Sequence, residues 1–517
     1  MEAPAIRLAE FVGALSLATD LSVGCPMETA LRCSLLAVRL GAELGCDGPA
    51  LHDAYYAALL RLLGCTGAAH EEAWRFGGGD DIGLRNAFLK TDLGDVGAVL
   101  GTVASLGRGS GLLRRARSAA RFLAREEGGA ELPQIHCEQA MTLASDLRMG
   151  AAVVQALAEM YERFDGRGLP GARRGAELSL ATRLMHVAYV AEMERSTGGA
   201  RAAALEVRRR AGGQLDPDLA ELFAKRAAEL LSRLDAASVW DDFLRSEPQP
   251  HQTIPADDLE SFARAFGCFA DVKSPYTLGH STGVAALAGQ AAAEVKLPIT
   301  EQQQLRLAAL LHDLGSVSVP NGIWDRPGPL NPIEWERVRL HAYHSERIVA
   351  RAPVLRPVAL LVGRHHERPD GSGYHRGLSG ALGAAAELLA ASDAYQAMQQ
   401  DRAHRPALPR EGAAASLREE ARQRRLDRAA VEAVLKASGH RPARAATAAG
   451  PAGLSPRELE VLRLLARGLA DKEIAQRLSL STRTVHHHVQ HVYEKTGVCS
   501  RAAAALYAVR NDLIGSE

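Results

Sequence analysis

Aromatic residues make up only 5% of this 517-residue chain, and it carries no net charge, with 61 Lys and Arg against 61 Asp and Glu. With so balanced a composition no overall field steers the protein towards nucleic acid or membrane, so any such partner must be read locally. No apolar run reaches the ~18 residues of a membrane span, and the opening MEAPAIRLAEF has no basic region ahead of an apolar core, so neither a span nor a signal peptide is expected. The seven cysteines (Cys25, Cys33, Cys46, Cys65, Cys137, Cys268, Cys499) include no CxxC pair; the pattern predicts reduced thiols of a cytoplasmic protein. Aromatic and β-branched runs are scarce while Ala, Leu and Arg abound, so an all-α protein is expected.

What is present is organisation. Helical periodicity runs from start to finish, interrupted by SEPQPHQTIPADD (246 to 258) and by GHRPARAATAAGPAG (439 to 453). These breaks predict domains over 1–245, 250–438 and 453–517, with 439–452 a linker; the length alone suggests about three. The first two segments repeat one another. At an offset of 205, MYERFDGRGLPG (160 to 171) falls on HHERPDGSGYHRG (365 to 377), keeping Glu-Arg, Asp-Gly and Gly in register. Upstream, ALLRLLGC (58 to 65) falls on ALLHDLGS (309 to 316) at an offset of 251.

The second copy gathers His280, His312, Asp313, His341, His365, His366 and Asp393, all on helix-like stretches or just beyond them. Imidazoles mixed with carboxylates suit Mn, Fe or Zn, whereas an all-oxygen set suits Mg or Ca. A His-Asp pair alone is weak evidence: His52-Asp53 has one and reads as a surface dipeptide. The ordered set, with DGSGY shortly after the His pair, is specific. On YTLGHS, LLHDLG, RLHAYH, HHERPDGSGYHRGL and ASDAY, residues 270 to 410 resemble the HD-GYP family of metal-dependent phosphohydrolases that open cyclic di-GMP. The resemblance implies that these seven residues are metal ligands, with His312 and Asp313 catalytic and Asp313 bridging two divalent ions, Fe or Mn. It also implies that Arg402 and Arg405 hold substrate phosphates, a task the planar guanidinium suits.

Four positions depart from the family pattern: Ser316 replaces a Lys, His375 the Pro of GYP, Gly283 an Arg, and Tyr276 the Glu of three-metal members. The last favours two metals, and the first removes a charge from substrate binding. His344, one turn from His341, is expected to be structural or solvent-facing. In the first copy the ligands are gone: Arg61 and Leu62 stand for His312 and Asp313, Met160 and Tyr161 for the His pair, and Ala188 for Asp393. Aligning His136 with His344 leaves Pro133 in place of His341. A domain without metal is expected there, kept for packing or regulation.

In the tail, Ser455, Pro456 and Glu458 form an N-cap, N1 and N3 set, and GLADKEIAQRLSLSTRTV reads as helix, turn, helix. Val485, Val489 and Val492 give the second helix an inner face; His486, His487 and Gln490 then lie outward, within reach of base edges, Lys472, Arg483, Lys495 and Arg501 are candidates for phosphate contacts, and Thr484 joins the expected DNA-binding residues. LSPRELEVL, GLADKEIAQRL, STRTVHHHV and YEKTGVCSR resemble the LuxR-type helix-turn-helix, with His486 where Lys is common. Residues 451–517 carry nine Lys and Arg against seven Asp and Glu, so non-specific DNA affinity should be modest.

Together the resemblances imply an all-α chain: two HD-domain-like helical bundles in tandem, then a four-helix LuxR-type domain. The expected function is a cytoplasmic transcription regulator, a homodimer on DNA, whose metal-bearing domain senses a cyclic dinucleotide. The alternative is an active two-metal cyclic di-GMP phosphodiesterase with a DNA-binding tail.

Overall fold

Helices begin in this chain where the local chemistry says they should. Asn331 and Glu334 close a reciprocal capping box, each accepting the other's main-chain N–H at 3.0 Å, with Pro332 at the first helical position of Pro332–Val349. Ser455, Pro456 and Glu458 repeat the device at Pro456–Ala466, and Asp47, Ser179, Asp427, Ser481 and Ser500 cap others. The computed structural model, which describes residues 6–75, 78–105, 131–439 and 451–514, is all-α apart from one two-stranded antiparallel ribbon. That ribbon pairs Ile6 with Ile254 and Arg7 with Thr253. No helix among the described residues is long and apolar enough to cross a membrane, and none of the seven cysteines is in a disulfide.

The chain forms two compact units, Met1–Leu259 and Glu260–Glu517, and matched contacts reveal their common plan. In one, Asp20 accepts the Ala30 N–H at 3.0 Å; in the other, Asp271 accepts that of Ser281 at 2.9 Å. Left-handed Glu28 and Gly279, both at φ 72°, precede the corresponding helices Thr29–Glu43 and His280–Glu294. All three pairs obey the offset of 251. Further on, a Cβ on Gly168 would stand 2.5 Å from Glu162 Cα and one on Gly373 2.5 Å from Glu367 Cα, which obeys the offset of 205.

The helices lining both sites are set by a glycine contact that corrects the sequence alignment. A Cβ on Gly315 would overlap the His341 carbonyl and lie 2.7 Å from Ser345 N; one on Gly64 would overlap the His136 carbonyl and lie 3.1 Å from Ala140 N. His136 therefore answers to His341, not to His344. The residues between the two anchored stretches carry the length difference, and letter matching cannot locate it.

The last four helices, Pro456–Ala466, Asp471–Leu478, Thr482–Thr496 and Arg501–Arg510, close around Val461, Leu465, Ile474, Val485, Val489, Val492, Leu506 and Val509. Gly497, at φ 71°, ends the third. The same buried cluster takes in Cys268, Val272 and Leu278 of the second unit.

Candidate metal centre and DNA-reading helix

The seven ligand candidates are delivered by five stretches of the second unit. His280 opens helix His280–Glu294, His312 and Asp313 end Ile299–Leu311, and His341 lies within Pro332–Val349. His365 and His366 follow Arg356–Val362, and Asp393 lies in Ala384–Met398. All seven meet. Asp313 Oδ1 lies 3.3 Å from His341 Nε2 and 3.6 Å from His365 Nε2, while its Oδ2 lies 3.5 Å from His312 Nε2 and 3.9 Å from His280 Nε2. Asp393 Oδ1 is 3.1 Å from His280 Nε2, and its Oδ2 is 3.8 Å from His366 Nδ1. The donors fall into two groups, His341 with His365 and His366, and His280 with His312 and Asp313; within each, the ligand atoms lie within 4.8 Å of one another.

The outward nitrogens determine what these rings can do. His312 Nδ1 donates to the Ala309 carbonyl at 2.8 Å, His365 Nδ1 to Val362 at 2.6 Å, and His341 Nδ1 to Val338. In the neutral rings the proton therefore sits on Nδ1, and the lone pair of Nε2 faces inward. Imidazole nitrogens and two carboxylates thus converge, and buried His312 Nε2 finds no hydrogen-bond partner among the described residues. Such a set of donors fits divalent metal ions.

The electrostatics agree. Burial works against both carboxylates, yet the surrounding imidazoles hold Asp313 and Asp393 well below the usual range. Burial pushes His312 down to about 4 and His366 well below its ordinary value, keeping them neutral as ligands must be. For His280 and His341, burial is outweighed by Asp393 and Asp313 respectively, and both move up.

The flanking residues separate. Arg402 is half-buried with its charge facing Asp393 and Asp313. The Arg405 guanidinium donates to the carbonyls of Ala397 at 2.7 Å, Pro406 at 3.2 Å and Met398 at 3.4 Å, closing the end of helix Ala384–Met398. Buried Ser316 donates its N–H to the Asp313 carbonyl. His375 reaches Glu346 at 3.0 Å. A Cβ on Gly283 would stand 2.5 Å from the end of the Gln396 side chain, which would have to move aside for a larger residue. Tyr276 is half-buried, and His344 packs over Gly315. Three residues not singled out from the sequence also belong here. The Trp324 ring meets His341 edge-on at 5.6 Å, the Tyr374 ring lies 4.7 Å from that of His366, and Gln400 Oε1 accepts from His280 Nδ1 at 2.9 Å. Only Tyr374 lay within a recognisable motif.

The first unit fills the same position differently. Arg61 stacks over the Tyr189 ring at 4.2 Å and donates to the Met160 carbonyl at 3.2 Å. His136 joins the Tyr161 hydroxyl through Nδ1 at 2.8 Å and Glu72 through Nε2 at 3.2 Å. A fixed cation and a phenol thus occupy positions where the second unit has imidazoles. Among the described residues, no group of three or more close ligand atoms occurs in this unit.

On helix Thr482–Thr496, Val485, Val489 and Val492 are buried, whereas Arg483, Thr484, His486, His487 and Gln490 are exposed. Lys472 is exposed on the preceding helix. Lys495 is committed to Glu458 at 2.6 Å, and Arg501 to Asp471 at 3.1 Å, so these two cations also serve the domain's own fold.

The HD domain family matches residues 127–219 and 268–430, and the luxR family of bacterial regulatory proteins matches 452–508. The 3'3'-cGAMP-specific phosphodiesterase 3 of Vibrio cholerae is 30% identical over 419 residues, which cover 80% of this chain and 90% of that protein. A crystal structure of a V. cholerae cyclic GMP-AMP-specific phosphodiesterase superposes with a TM-score of 0.59 at 28% identity, covering 85% of this chain and 99% of that one. The cyclic di-GMP phosphodiesterase of Thermotoga maritima is 33% identical over 160 residues, 30% of this chain and 44% of that protein.

Proposed function

Starting from a chain that belongs to the HD-domain family of cyclic-dinucleotide phosphodiesterases and carries a LuxR-family domain, we propose that it hydrolyses a 3'3'-cyclic dinucleotide and binds DNA through its tail. The carrying observation is Asp313, whose two oxygens face two different sets of imidazoles. His341, His365 and His366 would hold one divalent ion and His280, His312 and Asp393 a second, with Asp313 shared; Fe or Mn suits the donor set. When bound, such ions supply Lewis acidity at the phosphodiester and lower the pKa of water. The chain's residues do the rest. Four imidazoles are oriented by main-chain and amide partners, and Arg402 offers a guanidinium to substrate phosphate beside the carboxylates. Water adds to phosphorus, one ester P–O bond breaks, and a linear dinucleotide leaves.

The substrate is of the cyclic GMP-AMP or cyclic di-GMP class, since relatives of both kinds are similar. The DNA partner makes the cytoplasm the compartment of action, and a homodimer matches the two-fold symmetry such modules read. Lys472, Arg483, Thr484, His486, His487, Gln490 and Lys495 form the DNA contact set. One observation favours a second reading. Ser316 leaves the site without a cation at that position, which suits a sensor that binds nucleotide, turns it over slowly and changes DNA affinity. Turnover of 3'3'-cGAMP and cyclic di-GMP by anaerobically purified protein with Mn²⁺ or Fe²⁺, lost in His312→Ala, is the expected result. Tight nucleotide binding without turnover would favour the sensor instead.

A further inference from the structure

The segment 272–279 leads from helix Leu259–Asp271 directly into His280. One side of it is pinned within the metal-bearing domain. Lys273 Nζ donates to the Val319 carbonyl at 2.5 Å, Ser274 Oγ to Asp325 at 2.6 Å, and Thr277 Oγ1 to the Asp271 carbonyl at 2.7 Å. The other side belongs to the core of the C-terminal domain. Val272 and Leu278 are buried in one cluster with Leu454, Leu464 and Leu465. Gly468, at φ +81° between the first two helices of that domain, lies so close that a Cβ there would stand 2.6 Å from Pro275 Cβ.

Gln400 ties this contact to the metal ligands. Its amide nitrogen donates to the Leu278 carbonyl at 3.3 Å, and its amide oxygen sits 2.9 Å from His280 Nδ1. A carbonyl oxygen only accepts, so the His280 proton lies on Nδ1 and its Nε2 faces Asp393. Thus one side chain orients the first ligand with one end and holds with the other the main chain of a residue packed into the DNA-binding domain.

We propose that Gln400 is a positioning residue that couples the metal cluster to the DNA-binding domain. An ion at His280 and docking of the C-terminal domain on Leu278 favour the same arrangement, so each strengthens the other by the same factor. The inference rests on the metal-binding reading above. Gln400→Glu separates the two contacts: it keeps an acceptor for His280 but sets a carboxylate oxygen against the Leu278 carbonyl.

The test uses the full chain with Mn²⁺ alone, following amide hydrogen exchange at 454–470 and Mn²⁺ affinity. Mn²⁺ is expected to slow exchange there by about fivefold or more in the wild type. Gln400→Glu should bind Mn²⁺ but lose that response. Gln400→Leu should lose the response and bind Mn²⁺ about 10- to 100-fold more weakly. Gly468→Ala, which undocks the domain from the opposite side, should weaken Mn²⁺ binding by the same factor as the exchange response; if it does not fold, Gln400→Glu decides alone. An equal response in wild type and Gln400→Glu would overturn the coupling while leaving the metal site standing. Absence of Mn²⁺ binding in the wild type would overturn both.

Discussion

A histidine is a ligand only when its spare nitrogen points the right way, and here that is fixed one ring at a time. His312, His341 and His365 each donate Nδ1–H to the carbonyl three residues earlier, a bond any helical histidine can make. The spacing of the seven candidate ligands was legible because each sits in a short phrase with its own motif. Gln400 was not, since an amide four residues beyond Gln396 carries no pattern. Arg405 was legible as a cation near Arg402, but its letter does not reveal that the guanidinium folds back onto three carbonyls. Asp313→Asn should lower bound metal from about two ions per chain to at most one, measured by elemental analysis. Removing a shared carboxylate cannot spare both positions. In the first unit, burial and then the nearby Arg61 charge push His186 down to about 3. It is neutral in the folded state and protonates at its ordinary 6.5 once unfolded. Its contribution to stability is therefore complete above pH 6.5 and lost as pH falls towards 3. Melts of wild type and His186→Gln at pH 7.5 and 4.5 should show a smaller pH dependence in the variant.

At the scale of elements, capping chemistry made the helix starts the most readable feature. Asn331-Pro332-Glu334 and Ser455-Pro456-Glu458 both close as the letters imply. Burial raises the Glu458 carboxyl, but Lys495 and the Ser455 amide and hydroxyl outweigh it and bring it to about 2. The stability it adds is full above pH 4.5 and disappears as pH falls from there to about 2. Glu458→Gln should destabilise the C-terminal domain by about 1 kcal/mol at neutral pH and flatten its acid transition, both visible by circular dichroism. Packing between elements was less readable. Nothing in LLHDLG says that Gly315 must lack a Cβ because the His341 carbonyl lies against it. Gly315→Ala should cost about 1–3 kcal/mol and weaken Mn²⁺ binding, with thermal melts and metal titration as the two readouts. The same contact at Gly64 shows His136 in the position of His341, a correspondence that an alignment broken between two offsets could not supply.

Over the whole molecule, the scarcity of β-branched and aromatic runs, together with helical periodicity broken only at 246–258 and 439–453, was enough for the fold class. The duplication was visible in Glu-Arg and Asp-Gly pairs at a fixed offset, and it recurs in the main-chain hydrogen bonds from Ala30 to Asp20 and from Ser281 to Asp271. What the letters did not convey was how the first copy replaces what it lost. Full-length protein should hold about two ions rather than four, and Arg61→His should not raise that number, because Met160 and Ala188 still offer no ligand.

Arg61 carries its charge on a covalent side chain that neither chelators nor a shortage of iron can remove. Starvation for metal would strip the second half and leave the first as it was. On the proposed reading, a tandem of this kind has a built-in reference arm, one half able to gain and lose its ions and the other holding a charge that stays.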